Sequence, residues 1–247
     1  MSNIIRLAKL FIVFLHNKIK TYKMLSFFKD YKLFAIVFGI ISIIIISIFY
    51  NILKVDKPLP IYQPAMVNTD LVDSTIQHQI NYHKIADFSL TNQNGKTITQ
   101  ADYKDKIYVA DFFFTTCQTI CPIMTDNMEK IQKEIMNDDE VMLLSHSVTP
   151  DIDTVEQLKK YAIKKGVNDK KWNLVTGDKG EIYRLARKSY LAVKDDGMPD
   201  DYGMVHTENF MLIDKKGQIR GYYDGTKTED ITTLLKDIKK LKKEYEE

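Results

Sequence analysis

From Leu33 to Leu53 the chain reads LFAIVFGIISIIIISIFYNIL, an uncharged run bracketed by Lys32 and Lys54. At 1.5 Å per residue a helix of this length is about 30 Å long, the thickness of a bilayer's hydrocarbon core. Core helices of soluble domains are usually shorter and carry a polar face. A cleaved signal segment would be shorter too and would end at small residues, whereas this run passes through Ile48-Phe49-Tyr50 into Asn51. A single membrane-spanning helix is the expected outcome, and it splits the chain into two unequal parts.

Charge follows that split. The whole chain has 35 Lys and Arg against 33 Asp and Glu. Eight of the basic residues and a single acid, Asp30, fall in residues 1–54, so the remainder keeps 27 basic and 32 acidic side chains. Basic residues ahead of the span hold the N-terminus in the cytoplasm by the positive-inside rule. The larger part is then extracytoplasmic: periplasmic or on the outer face in a bacterium, in the intermembrane space in a mitochondrion. An acidic domain whose chain carries its basic excess ahead of a hydrophobic segment argues against nucleic-acid binding. Leu7–Leu15 reads as a short interfacial patch, and Met24 is an alternative start that still supplies a basic flank.

Four segments are expected: a basic cytoplasmic stretch at 1–32, the span at 33–53, an extracytoplasmic tether at 54–84, and one domain at 85–247. The tether has three Pro and no sustained period. Its histidines, His78 and His83, read as solvated side chains, since no Cys accompanies them. In the domain, two alternating runs flank Asn94-Gly95 as a hairpin. Ile107–Phe114 is apolar enough for a strand buried on both faces. A helix starts near Pro122, with Ile123, Met128, Ile131 and Ile135 at helical spacing. Val141–Val148 is a second central strand, and Asp153-Thr154 can cap a helix over Val155–Lys165. A strand at Trp172–Thr176, a helix at Glu181–Arg187 and a hairpin of His206–Ile213 with Gln218–Tyr223 follow. A last helix carries Ile231, Leu234, Leu235, Ile238 and Leu241 on one face. This order implies an α/β sandwich with a mixed sheet.

The chain has two cysteines, Cys117 and Cys121, followed by Pro122 where a buried strand meets a helix. A helix N-terminus favours negative charge and so stabilises thiolates. A structural disulfide closing so short a loop gains little. Cys-x-x-Cys would favour thiol–disulfide exchange; the extra residue here leaves both redox and metal readings open. Two soft sulfurs favour Cu(I) over hard cations. A third ligand would come from His146 or His206. His146 lies inside a strand and is expected to be packed there, whereas His206 follows the polar loop Asp200-Asp201-Tyr202-Gly203-Met204.

Phe114-Thr-Thr-Cys117-Gln-Thr-Ile-Cys121-Pro122, then SVTPDIDTVEQLKKYA, then VHTENFMLIDKKGQIRGYYDG together strongly resemble the SCO/SenC proteins, over about residues 85–245. These are thioredoxin-like copper chaperones for cytochrome c oxidase assembly, and they also carry an anchor. The resemblance implies a thioredoxin-like sandwich, with Cys117, Cys121 and His206 as ligands of Cu(I) or Cu(II). It implies a membrane-anchored metallochaperone that delivers copper to the dinuclear site of the oxidase's copper-bearing subunit. An upstream copper donor or thiol reductant would be a further partner. The alternative is a thiol–disulfide oxidoreductase, with Cys117 and Cys121 as the redox pair, that keeps the cysteines of that subunit or of other periplasmic proteins reduced. Asp151 and Asp153 match the family's acidic loop, but helix capping and solvation are the roles expected of them. The chain departs from the family at Gln118, where Pro is common after the first Cys, and at Thr149, where many members place an acid directly before the Pro.

Overall fold

The computed structural model describes residues 31–53, 57–67, 75–192 and 207–246. Helix α1, Lys32–Leu53, belongs to one unit, and residues from Pro58 onward form a second, compact one. The window Lys32–Tyr50 of α1 has a mean hydropathy of 2.8 and none of it is buried, so the helix is long and apolar enough to cross a membrane.

The second unit is built on a seven-stranded sheet. Its strands are β1 (Ser89–Asn92), β2 (Thr97–Thr99), β3 (Ile107–Phe113), β4 (Val141–Ser147), β5 (Trp172–Thr176), β6 (Asn209–Ile213) and β7 (Ile219–Asp224). They lie side by side in the order β2-β1-β5-β4-β3-β6-β7. β4 runs parallel to both β3 and β5. The outer pairs are antiparallel, with β1 on β5 and β6 on β3, so the sheet is mixed as the element order implies. The helices are α2 (Cys121–Glu134), α3 (Val155–Lys164), α4 (Lys179–Arg184), which continues into a π-helical turn at Leu185–Ser189, and α5 (Thr228–Glu244).

β3 is apolar or aromatic at every position but Asp111, and all seven of its residues are buried, because alternate side chains enter two separate cores. Tyr108, Ala110 and Phe112 meet Leu144, Val175, Tyr190 and Met211 on one face. Ile107, Val109 and Phe113 meet Met124, Met128, Ile131 and Leu143 on the other. Burying a side chain of this size is worth about 2 kcal/mol. α5 places Ile231, Leu234, Ile238 and Leu241 in the second core, as its apolar stripe predicts. Along α2 the core face is Met124, Met128 and Ile131, whereas Ile123, expected inside, is 48% exposed. The neighbouring Met124 takes the inward position.

Within the segment expected to be a tether, residues 59–62 are bound to the domain. Leu59 is buried in the second core, and its N–H donates to Glu244 Oε1 at 2.6 Å. The Arg220 guanidinium donates to the carbonyls of Leu59 and Pro60 at 2.8 and 3.1 Å. Arg220 also pairs with Asp214 at 3.1 Å and with Glu244 at 2.5 Å. Tyr62 N–H adds a bond to the Ile219 carbonyl. This strap explains why an arginine is buried at 6% exposure: each of its charges and carbonyl partners is satisfied. His83 is likewise buried, against expectation. Its Nε2 lies 2.7 Å from the Ser189 carbonyl, and desolvation holds its pKa below the ordinary histidine value. His78 is exposed, as predicted.

Candidate functional site

β3 ends at Phe113, and eight residues later α2 begins at Cys121. The intervening loop is held at three points. Val148 N–H donates to the Phe113 carbonyl at 2.9 Å, Cys117 N–H donates to the Phe114 carbonyl at 3.3 Å, and Thr115 is bonded to Asp153 through both its N–H and its hydroxyl. At the helix start, Thr125 donates to the Cys121 carbonyl at 2.8 Å and lies 2.8 Å from the Tyr161 hydroxyl. Pro122 sits in the first helical turn, where its missing N–H costs no helical bond.

Both cysteines are free thiols, Cys117 partly exposed and Cys121 buried. Their electrostatics diverge. Burial works to raise the pKa of Cys117, but it is outweighed by hydrogen bonds from the Thr119 hydroxyl, the N–H groups of Cys121 and Thr119, and the Cys121 thiol. The result is a thiol lowered to about 7, with Thr119 Oγ1 3.5 Å from its sulfur. Burial pushes Cys121 up to about 12; Cys117 and Asp111 add to the rise, against one backbone hydrogen bond from Phe114. The expectation that the helix N-terminus stabilises both thiolates therefore holds for Cys117 alone. At Cys121 desolvation exceeds the helix effect.

Asp111 lies on β3 opposite Ser145 of β4, on the side that carries Val109 and Phe113. Burial raises its pKa to about 7 against a hydrogen bond from Ser145, and its Oδ1 has no partner. His146 sits one position along on β4, facing the other core. It is fully buried, stacked on Phe112 at 4.8 Å with Tyr190 edge-on at 5.2 Å, and its Nδ1 lies 3.2 Å from the Asp111 carbonyl. It is a packed side chain, as its place in a strand predicts, and is no part of the cysteine site.

His206 lies outside the described residues. What is described is the strand it leads into. β6 pairs antiparallel with β3, Ala110 opposite Met211 and Tyr108 opposite Ile213, so its first residue, Asn209, lies toward the end of the sheet where β3 enters the cysteine loop. Among the described residues no three His, Cys, Asp or Glu side chains are grouped as a metal site. The donors in view are the two sulfurs, a set that suits a soft monovalent ion such as Cu(I) and leaves room for a third ligand.

Asp151 is exposed, as expected, but Asp153 corrects the sequence expectation. It is neither solvated nor the helix cap. Thr154 caps α3 by accepting from Gln157 N–H, while Asp153 is 0% exposed. Its carboxylate accepts from Thr115 N–H at 3.1 Å, Thr115 Oγ1 at 2.5 Å, Ser147 Oγ at 2.6 Å and Thr149 Oγ1 at 3.1 Å. The one legible hint is that Ser147, Thr149 and Thr115 are small hydroxyl residues at the ends of adjacent parallel strands.

The SCO1/SenC family model matches residues 76–243. The SCO1 protein homolog of Bacillus subtilis (strain 168) is 32% identical over 166 residues, which cover 66% of this chain and 85% of that protein. The chain spans about half the length of the mitochondrial relatives it matches, 44% of Saccharomyces cerevisiae Protein SCO2 and 47% of the human SCO1 homolog. Among solved structures, a SCO1/SenC family lipoprotein from Bacillus anthracis str. Ames superposes with a TM-score of 0.58 at 35% identity, over 66% of this chain and 96% of that one. BsSco, described as a Sco-family cytochrome c oxidase assembly protein with a disulfide switch, superposes with a TM-score of 0.55 at 32% identity, over 64% and 93%. Copper-bound ScoI of Bradyrhizobium japonicum superposes with a TM-score of 0.50 at 28% identity, over 63% and 99%. The thioredoxin-like sandwich is the fold these structures share with this chain.

Proposed function

The chain belongs to the SCO1/SenC family, and from that premise we propose that it is a membrane-anchored copper-binding metallochaperone. Copper is held by Cys117, Cys121 and His206 and passed to the dinuclear site of the copper-bearing subunit of cytochrome c oxidase. Residues 1–32 lie in the cytoplasm, 33–53 cross the cell membrane, and the domain from 85 onward works in the periplasm or an equivalent extracytoplasmic space. The strap at 57–67 belongs with that domain. Copper-bound and oxidase-assembly proteins of the family support the cargo and the partner.

The observation that carries the reading is the unequal thiol pair on a fixed loop. Cys117, accessible and lowered to about 7, offers a thiolate at physiological pH. Cys121, buried against the core, gives up its proton only when an ion repays the desolvation. A partner thiolate reaching the exposed side meets Cys117 first, so exchange of ligands begins there and ends with release from Cys121. A three-donor site open on one side permits an incoming fourth ligand; a closed four-ligand site does not.

A second reading has its own support. A partly exposed thiol near neutrality beside a buried partner is the arrangement required of an attacking and a resolving cysteine, and a disulfide switch is described for BsSco. The two readings separate in an anaerobic Cu(I) competition titration of the reduced protein alongside Cys117→Ser and Cys121→Ser. Tight one-to-one binding lost in both variants supports the chaperone. Weak binding by the wild type, together with turnover of a disulfide substrate, would replace it with the oxidoreductase.

A further inference from the structure

We propose that Asp153 is the positioning residue of the thiol pair. The inference rests on the reading of Cys117 and Cys121 as the working groups and adds the side chain that fixes their loop.

The argument starts from an accounting of donors. A fully buried carboxylate is retained only where hydrogen bonds replace its lost hydration. Asp153 has no basic partner among the described residues, and four hydroxyl and N–H donors fill that role instead. Two of them belong to Thr115, two residues before Cys117. The others, Ser147 and Thr149, belong to the end of β4 and the turn after it. Thr115 is engaged on its other side as well: its hydroxyl accepts from Gln157 Nε2 on α3 at 3.1 Å. The loop that carries the cysteines is thus tied through one carboxylate to the neighbouring strand and the start of the next helix.

The purpose of such a tie is geometric. Asp153 reaches neither sulfur, and with its oxygens occupied by four donors it has little capacity left to ligate an ion. What it controls is the path of residues 115–117, and hence where the Cys117 sulfur stands relative to Cys121 at the fixed helix start. Groups that must meet within one bond length or share one ion gain most from being held in place beforehand. Capping of α3, the alternative purpose for an acid at this position, is already supplied by Thr154.

The test is a thiol–disulfide equilibrium of the full-length protein in detergent against glutathione buffers. In it the two thiols lose two electrons and two protons to form one S–S bond, and one oxidised glutathione becomes two thiols. It is run on wild type, Asp153→Ala and Thr115→Val, at a temperature well below each melting transition. Asp153→Ala is expected to lower the pair's disulfide-forming constant about tenfold, which is about 30 mV for this two-electron couple. Thr115→Val, which keeps its N–H bond but loses the hydroxyl, is expected to fall between, and it decides the matter if Asp153→Ala does not fold. Cu(I) affinity should drop in parallel. A lowered melting temperature with the disulfide constant unchanged would overturn the proposal and leave Asp153 as a structural residue. A shifted constant in a protein whose wild type binds no copper would sustain the positioning role while refuting the copper reading.

Discussion

Cys121 supplies the Cys117 sulfur with both a backbone N–H and a thiol hydrogen bond, so the buried cysteine helps to make its exposed neighbour a thiolate. The relationship is one-sided, because Cys121 is itself raised by burial and by Cys117. A pair with equal thiols would offer two entrances. This one offers Cys117 alone.

Alkylation should display that difference. In the reduced protein the rate of iodoacetamide modification at Cys117 should rise with a midpoint near pH 7, with Cys121 unmodified across the same range, as read by peptide mass spectrometry. Equal labelling of the two at pH 7 would contradict the asymmetry.

His146 makes acid stability a sharp test of the core. Burial lowers its pKa to about 4, below the ordinary 6.5, so between those values the folded state binds fewer protons than the unfolded chain. The stability it contributes is complete above about pH 6.5 and is lost as pH falls toward 4, by up to about 3 kcal/mol. Phenylalanine fits a ring already stacked on Phe112 and carries no proton. His146→Phe should therefore flatten the urea-unfolding free energy between pH 4 and 6.5, and a slope equal to wild type would refute the assignment.

Asp111 slopes the other way. Its folded pKa of about 7 is raised above the ordinary 3.8, so its contribution is full below about pH 4 and is lost as pH rises through 7. Asp111→Asn cannot ionise and should gain on wild type by up to about 4 kcal/mol between pH 4 and 8. Denaturant midpoints at the two pH values check it; an advantage that does not grow with pH would count against the buried carboxyl.

The strap should come loose when its clasp is cut. Arg220→Met removes the donor to Leu59, Pro60, Asp214 and Glu244 and leaves two carboxylates unpaired, a loss of about 3 kcal/mol or more for a buried pair. Limited proteolysis should then cut within residues 57–67 at a denaturant concentration that spares wild type. Equal protection in the variant would show that the strap is held without the Arg220 bonds, by Leu59 and Tyr62.

These residues also mark how far the sequence could be read. β5 is legible at both ends, and β3 and β4 to within one residue, because strands buried on both faces are apolar at most positions, with the few polar exceptions such as Asp111, His146 and Asn173 buried among them. α2 is legible as a helix, with Met128, Ile131 and Ile135 inside as their spacing predicts, but not in its first turn: Ile123 and Met124 are adjacent and both apolar, and packing against the core selects the second. The strap escaped notice because it is held by Arg220 bonds to backbone carbonyls, which leave no period in the sequence. Asp153 escaped for a related reason. Its donors come from positions 115, 147 and 149, and only parallel pairing of β3 with β4 brings them together. The cysteine pair stood out from its spacing and its place before a helix, whereas the inequality of the two thiols required knowing how deeply each is buried.

The central claim, a copper site of two sulfurs and one imidazole, is tested most directly by copper K-edge X-ray absorption on the Cu(I)-loaded full-length protein and its His206→Ala variant. The account predicts two sulfur scatterers and one nitrogen in the wild type, and loss of the nitrogen with both sulfurs kept in the variant. Identical spectra from the two proteins, or a wild-type shell without two sulfurs, would contradict it.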